Sequence, residues 1–117
     1  CYLVSTMKKK LLYIPDIDKW HLWDKDIKEM IKIVDYALLD GTFYQDGELS
    51  RDMSKIPHPF VKESMILFKD LSKQNKQKVF FTHLNHTNPL IIKESKEQFE
   101  VKKLGFNFAM DNLVLGL

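Results

Sequence analysis

Asp35-Tyr36-Ala37-Leu38-Leu39-Asp40-Gly41-Thr42-Phe43 is the stretch on which the fold turns. Four apolar residues in a row, halted by the turn pair Asp40-Gly41, read as a short buried strand. Upstream, Asp24 is placed to cap a helix whose apolar positions are Ile27, Met30, Ile31 and Val34, the i, i+3, i+4, i+7 spacing of one buried face. Further back, Leu3-Val4 and Leu11-Leu12-Tyr13-Ile14 flank a polar turn and read as a hairpin. Pro15 ends it, because proline has no N–H for the ladder. Downstream, Gln45 to Lys55 is a polar loop, and Pro57 and Pro59 bracket His58, with Pro59 suited to the first turn of a helix. That helix shows Phe60, Ser64, Leu67, Phe68 and Leu71 on one face, and Lys73 to Lys78 is a polar turn. Val79-Phe80-Phe81 is a strand running into Thr82-His83. Ser95 with Gln98 makes a capping box, and Gly105 ends the helix that follows. Phe106 to Ala109 and Leu113 to Leu115 form a closing hairpin around Asp111-Asn112. The order β-β-α-β-α-β-α-β-β predicts an α/β layered domain.

Composition narrows the function classes. The chain has 117 residues, enough for one domain. Hydrophobic residues make up 44% and charged residues 29%, a globular balance. Net charge is +2, from 18 Lys+Arg against 16 Asp+Glu, and the one purely basic run is Lys8-Lys9-Lys10. A nucleic-acid-binding domain carries a larger, clustered excess, so nucleic acid is not an expected partner. The single cysteine, Cys1, excludes an internal disulfide and fits a reducing, cytoplasmic setting. No apolar run approaches the ~20 residues that span a bilayer, so no membrane partner is expected. The chain opens on Cys1-Tyr2-Leu3-Val4 and closes on Leu113-Val114-Leu115-Gly116-Leu117. Apolar, β-prone ends predict a piece of a longer chain, cut within a sheet.

In open α/β sheets, ligand groups gather at the carboxyl ends of strands. Asp16 follows the strand ending at Ile14, Asp40 the strand ending at Leu39, and His83 the strand ending at Phe81. His58 precedes a helix, and Asn85, His86 and Asn88 follow His83 directly. Imidazole nitrogen and carboxylate oxygen together suit zinc, manganese or iron. The plain alternative is that these aspartates are turn formers and caps. His83 and His86 lack the i, i+4 helical pairing of two ligands, which leaves one as ligand and the other in support. His21, between Trp20 and Trp23, reads as surface. Trp20, Trp23, Phe43 and Tyr44 read as core or lid packing, with a substrate wall as the alternative. Asp46, Glu48 and Asp52 read as a solvated loop. Four glycines leave no phosphate-cradling loop, and no serine has a nucleophile-elbow context.

The ordered set Leu12-Tyr13-Ile14-Pro15-Asp16, Asp35 to Phe43 with its Asp-Gly-Thr-Phe, Ile56-Pro57-His58-Pro59, and Thr82-His83-Leu84-Asn85-His86-Thr87-Asn88-Pro89 resembles the C-terminal half of metallo-β-lactamase-fold proteins. The branch it resembles most is the one devoted to pyrroloquinoline quinone biosynthesis. The resemblance runs from about Leu11 onward and includes the closing Gly105 to Leu115. It implies that residues 1–117 are a partial domain, the C-terminal half of an αββα sandwich. It implies that Asp16 bridges two metal ions and that His83 is the last metal-binding histidine. Asp40 and His58 match an acid–histidine pair that assists proton transfer in relatives such as ribonuclease Z. Asn85, His86, Asn88 and Thr42 would orient ligands or substrate. His86 stands where the quinone branch often has Asn, and Asp16 where that branch often lacks a carboxylate. Both depart toward a conventional hydrolase site.

The His-x-His-x-Asp-His loop of the superfamily's first half is absent from this sequence. The expectation is therefore a metal-dependent hydrolase whose C-terminal half, alone, is inactive. Its partners would be a small-molecule substrate and the N-terminal half of the same domain. Two zinc ions are expected in the complete domain, with iron or manganese open. The alternatives are a non-catalytic member of the fold, acting in binding or in quinone cofactor biosynthesis, and a free-standing α/β binding module.

Overall fold

The computed structural model describes residues 2–6, 9–15, 17–20, 26–50, 52–53 and 56–109. Among the described residues there are five strands: β1 (Tyr2–Ser5), β2 (Lys10–Ile14), β3 (Tyr36–Asp40), β4 (Val79–Thr82) and β5 (Asn107–Phe108). Four helices accompany them: α1 (Ile27–Ile33), α2 (Val61–Leu67), α3 (Lys73–Lys76) and α4 (Lys96–Lys103), with a 3-10 turn at Pro89–Ile91. The strands form one sheet in the order β1-β2-β3-β4-β5. β1 pairs antiparallel with β2, and β2 to β5 run parallel. The fold is α/β, as the alternation of strands and helices predicts.

Spatial order here equals chain order, so every parallel crossover steps the same way. Right-handed connections then place all the crossover helices on one face of the sheet. Burial agrees. Leu12, Ile14, Ala37, Leu39, Val79 and Phe81 point into one core with Ile27, Ile31 and Val34 near α1, Val61, Met65 and Phe68 of the α2 region, and Val101 of α4. The alternate residues Leu11, Tyr13, Tyr36, Leu38 and Phe80 are only half-buried and belong to neither core cluster. One sheet face is thus fully buried, and the other, though apolar, is only half-buried. Among the described residues, no helix is long and apolar enough to cross a membrane.

Several boundaries differ from the sequence reading. Asp26, not Asp24, caps α1: its carboxylate accepts from the Lys28 and Glu29 N–H groups, while Asp24 lies outside the described residues. The α2 helix starts at Val61, two residues after Pro59. The N–H groups of Val61 and Lys62 donate to the Phe43 and Tyr44 carbonyls at 2.9 and 3.0 Å, so the incoming loop satisfies the helix's first donors. Its buried face runs through Val61, Ser64, Met65 and Phe68, leaving Leu67 36% exposed. Ser64 belongs on that face because its hydroxyl accepts from the Trp20 indole at 2.7 Å. Trp20 is therefore core, as is Tyr44. Lys73–Lys76 is a short helix capped by Ser72 rather than a turn. The Ser95 hydroxyl does cap α4 at Gln98 N, but the Gln98 amide oxygen turns to Glu94 N, so the capping box is half-formed. Gly105, with φ +98°, ends that helix as expected. β5 joins β4 as a parallel strand, and the proposed partner strand at Leu113 to Leu115 lies outside the described residues.

Candidate functional site

Register brings the predicted residues to one edge. Ile14 pairs with Leu39, Leu39 with Phe81, and Asp40 with Thr82, so the carboxyl ends of β2, β3 and β4 lie side by side. Gly41 follows at the tightest point. Its N–H donates to the Thr82 carbonyl at 2.7 Å, and a Cβ there would sit 2.9 Å from Phe81 Cβ. Only glycine lets the two strand ends approach this closely.

Asp40 is fully buried at the centre of the cluster. One carboxylate oxygen, Oδ2, accepts from Ile17 N at 3.0 Å and contacts His58 Nδ1 at 2.7 Å. The other, Oδ1, accepts from Thr42 N at 2.9 Å and from the Thr42 hydroxyl at 2.8 Å. A carboxylate offers about four lone-pair positions. All four are occupied within the chain, so Asp40 orients its neighbours and has none left over for a metal.

Thr42 carries the arrangement outward. Its one hydroxyl hydrogen is committed to Asp40, so toward His83 Nδ1, at 3.0 Å, the Thr42 oxygen accepts. In the neutral ring that places the proton on His83 Nδ1 and leaves the lone pair on Nε2. His83 is exposed, and it has a left-handed backbone, φ +60°. A non-glycine residue in that conformation is uncommon and costs about 1–3 kcal/mol. The His58 and His83 rings lie 6.4 Å apart.

The loops on either side are stapled together. Asn85 N donates to the Thr42 carbonyl, and the buried Asn88 amide donates to the Gly41 carbonyl at 2.7 Å while accepting from Leu90 N. Asn88 therefore braces the Gly41 turn, with both ends of its amide turned inward. Glu48, read from sequence as part of a solvated loop, accepts from Tyr44 N at 2.8 Å and from the Thr87 hydroxyl at 2.6 Å. Thr87 in turn accepts from the Asn85 side chain at 2.7 Å. Sequence reasoning missed Glu48 and Thr87; Thr87 stands inside the quoted His83–Pro89 string, but nothing local marks Glu48. Burial, then the hydrogen bond and charge of Glu100, push the Tyr44 phenol above its ordinary range, so it stays a donor to Glu100 at 2.7 Å.

Of the sequence-predicted residues, Asp40, Thr42, His58 and His83 come together, with Asn85 and Asn88 in the loop behind them. His86 is exposed. Asp16, the expected bridging carboxylate, lies outside the described residues, as do His21 and Trp23. Among the described residues, no group of three potential ligands forms a metal site. The donor set fits one ligand, His83, held in the tautomer a metal requires by a hydrogen bond on its other nitrogen.

No family model matches the chain. Curated relatives do. It is 29% identical over 121 residues to coenzyme PQQ synthesis protein B of Methylorubrum extorquens (strain PA1), covering 98% of this chain and 40% of the relative. The corresponding Methylorubrum populi protein is 30% identical over 124 residues, with the same coverage. That of Acinetobacter baylyi is 28% identical over 114 residues, covering 90% and 36%. In three dimensions the chain is similar to the crystal structure of Zn(2+)-bound PqqB from Methylobacterium extorquens, with TM-score 0.79 and 26% identity over 98% of this chain and 42% of that one. The chain resembles this protein over nearly its whole length and spans about two fifths of the relatives it matches.

Proposed function

We propose that this PqqB-like chain is the C-terminal half of a metallo-β-lactamase-fold sandwich acting in quinone cofactor biosynthesis, and that it contributes one side of a zinc site. The observation that carries the reading is the relay Asp40–Thr42–His83. It fixes one histidine tautomer at a strand end, where a ligand from this half would have to stand. The half-buried apolar sheet face of Leu11, Tyr36, Leu38 and Phe80 supports the other part of the proposal, because the N-terminal half of an αββα sandwich would cover it. His83, together with Asp16, would hold zinc, completed by ligands from the missing half. When bound, zinc supplies Lewis acidity. Iron or manganese suits the same donors.

A second reading, hydrolysis of a small-molecule substrate, is favoured by the Asp40–His58 pair at 2.7 Å. Asp40 holds the His58 ring through Nδ1. His58 then has the orientation needed to hand a proton to a leaving group.

Elemental analysis tests the proposal. This chain alone should retain less than about 0.1 equivalent of zinc after dialysis, since one or two ligands fall short of the three or four that a zinc site needs. The full-length protein should retain about one or two equivalents. It should lose them in an Asp16→Ala, His83→Ala variant. Full zinc content in that variant would sink the assignment.

A further inference from the structure

A hollow on the helical layer, sharing no residue with the Asp40–His58–His83 cluster, has no role in the function proposed above. It has a volume of about 300 Å³ and lies between α2, the end of α3, and α4. Its floor is Met65 and Phe106, both nearly fully buried, and its walls are Ile66 and Leu104, which are 65% and 46% exposed. Lys69 and Lys76 stand on its rim. The lining carries three lysines against one carboxylate, Glu100. Glu100 is already engaged by Lys62 at 3.7 Å and by the Tyr44 hydroxyl. Among the described residues, Lys69 and Lys76 pair with no carboxylate. Lys76 instead lies 5.9 Å from the Phe106 ring, poised over the floor.

From this combination we infer that the hollow binds a small amphiphilic anion: a compact aromatic or short alkyl body bearing a carboxylate or sulfonate. Exposed apolar walls over an aromatic floor offer the body a dry contact surface. Two lysines that pair with no carboxylate among the described residues offer the head group an ion pair. The volume sits at the lower end of ligand pockets, which favours a small molecule over a peptide segment.

The probe is 8-anilinonaphthalene-1-sulfonate, titrated by fluorescence against the full 117-residue chain, with octanoate as competitor. Saturable binding displaced by octanoate is expected. A Lys69→Glu, Lys76→Glu variant should weaken binding about tenfold. A Lys9→Glu, Lys93→Glu control, equal in charge change, should alter it less than about twofold. Leu104→Ser should weaken binding with both lysines intact, and N-phenyl-1-naphthylamine, which lacks the sulfonate, should bind about tenfold more weakly. Equal affinity in the Lys69, Lys76 variant would place the dye elsewhere, such as on the half-buried sheet face, and overturn the proposal. So would equal weakening in the control, or displacement by an acidic amphipathic peptide but not by octanoate.

Discussion

Gly41 shows at the scale of one residue why the Asp-Gly-Thr-Phe string reads as it does. Its missing Cβ lets the Asp40 turn close against Phe81 and Thr82. Gly41→Ala should therefore lower unfolding stability by about 1–3 kcal/mol, the usual cost of overpacking, measured by urea denaturation. Thr42 is the next test. Removing its hydroxyl leaves His83 Nδ1 without its acceptor, so Thr42→Val should shift His83 from the Nδ1–H tautomer toward a mixture. Imidazole nitrogen NMR shifts report this directly, and an unchanged tautomer would dismiss the relay. Asp40, His58 and His83 were legible in the sequence because each stands at a strand end or in a proline-fixed loop. Glu48 was not, because its partners, Tyr44 N and the Thr87 hydroxyl, lie on two loops that only tertiary packing joins.

Between elements, the loop after β3 is tied to α4 through Tyr44 and Glu100. The folded state holds the Tyr44 proton more tightly than the unfolded chain does. That contribution is full below the ordinary tyrosine value of about 10 and is lost as pH rises above it. Stability should therefore fall more steeply above pH ~10 in the natural chain than in Tyr44→Phe, as thermal melts across that range would show. The elements themselves were mostly legible. Four of the strands and the face of α1 follow from apolar spacing, and α4 from its Ser95 cap and Gly105 stop. The start of α2 was misplaced because loop carbonyls, not a proline, satisfy its first N–H groups. The α3 helix was missed because four polar residues carry no periodicity, and only the Ser72 cap marks it.

At the level of the whole molecule, the decisive feature is a sheet with one fully buried face and one half-buried apolar face. The continuous apolar runs of β2, β3 and β4 signal buried strands but are silent on what covers each face, since Tyr, Leu and Phe occur in both settings. The half-buried apolar face predicts behaviour. The isolated chain should self-associate at micromolar concentration, and a Leu38→Lys, Phe80→Lys variant should remain monomeric by sedimentation. A monomeric natural chain would show the face to be self-sufficient.

The one-directional strand order has a consequence for how such a chain comes into being. Each strand from β2 onward docks on the strand delivered just before it, so the growing edge of the sheet always belongs to the newest segment. Nothing already assembled must open to admit a later arrival. The sheet can therefore be laid down in the order of synthesis, with each crossover closing on the strand before it rather than distant ends meeting at the finish.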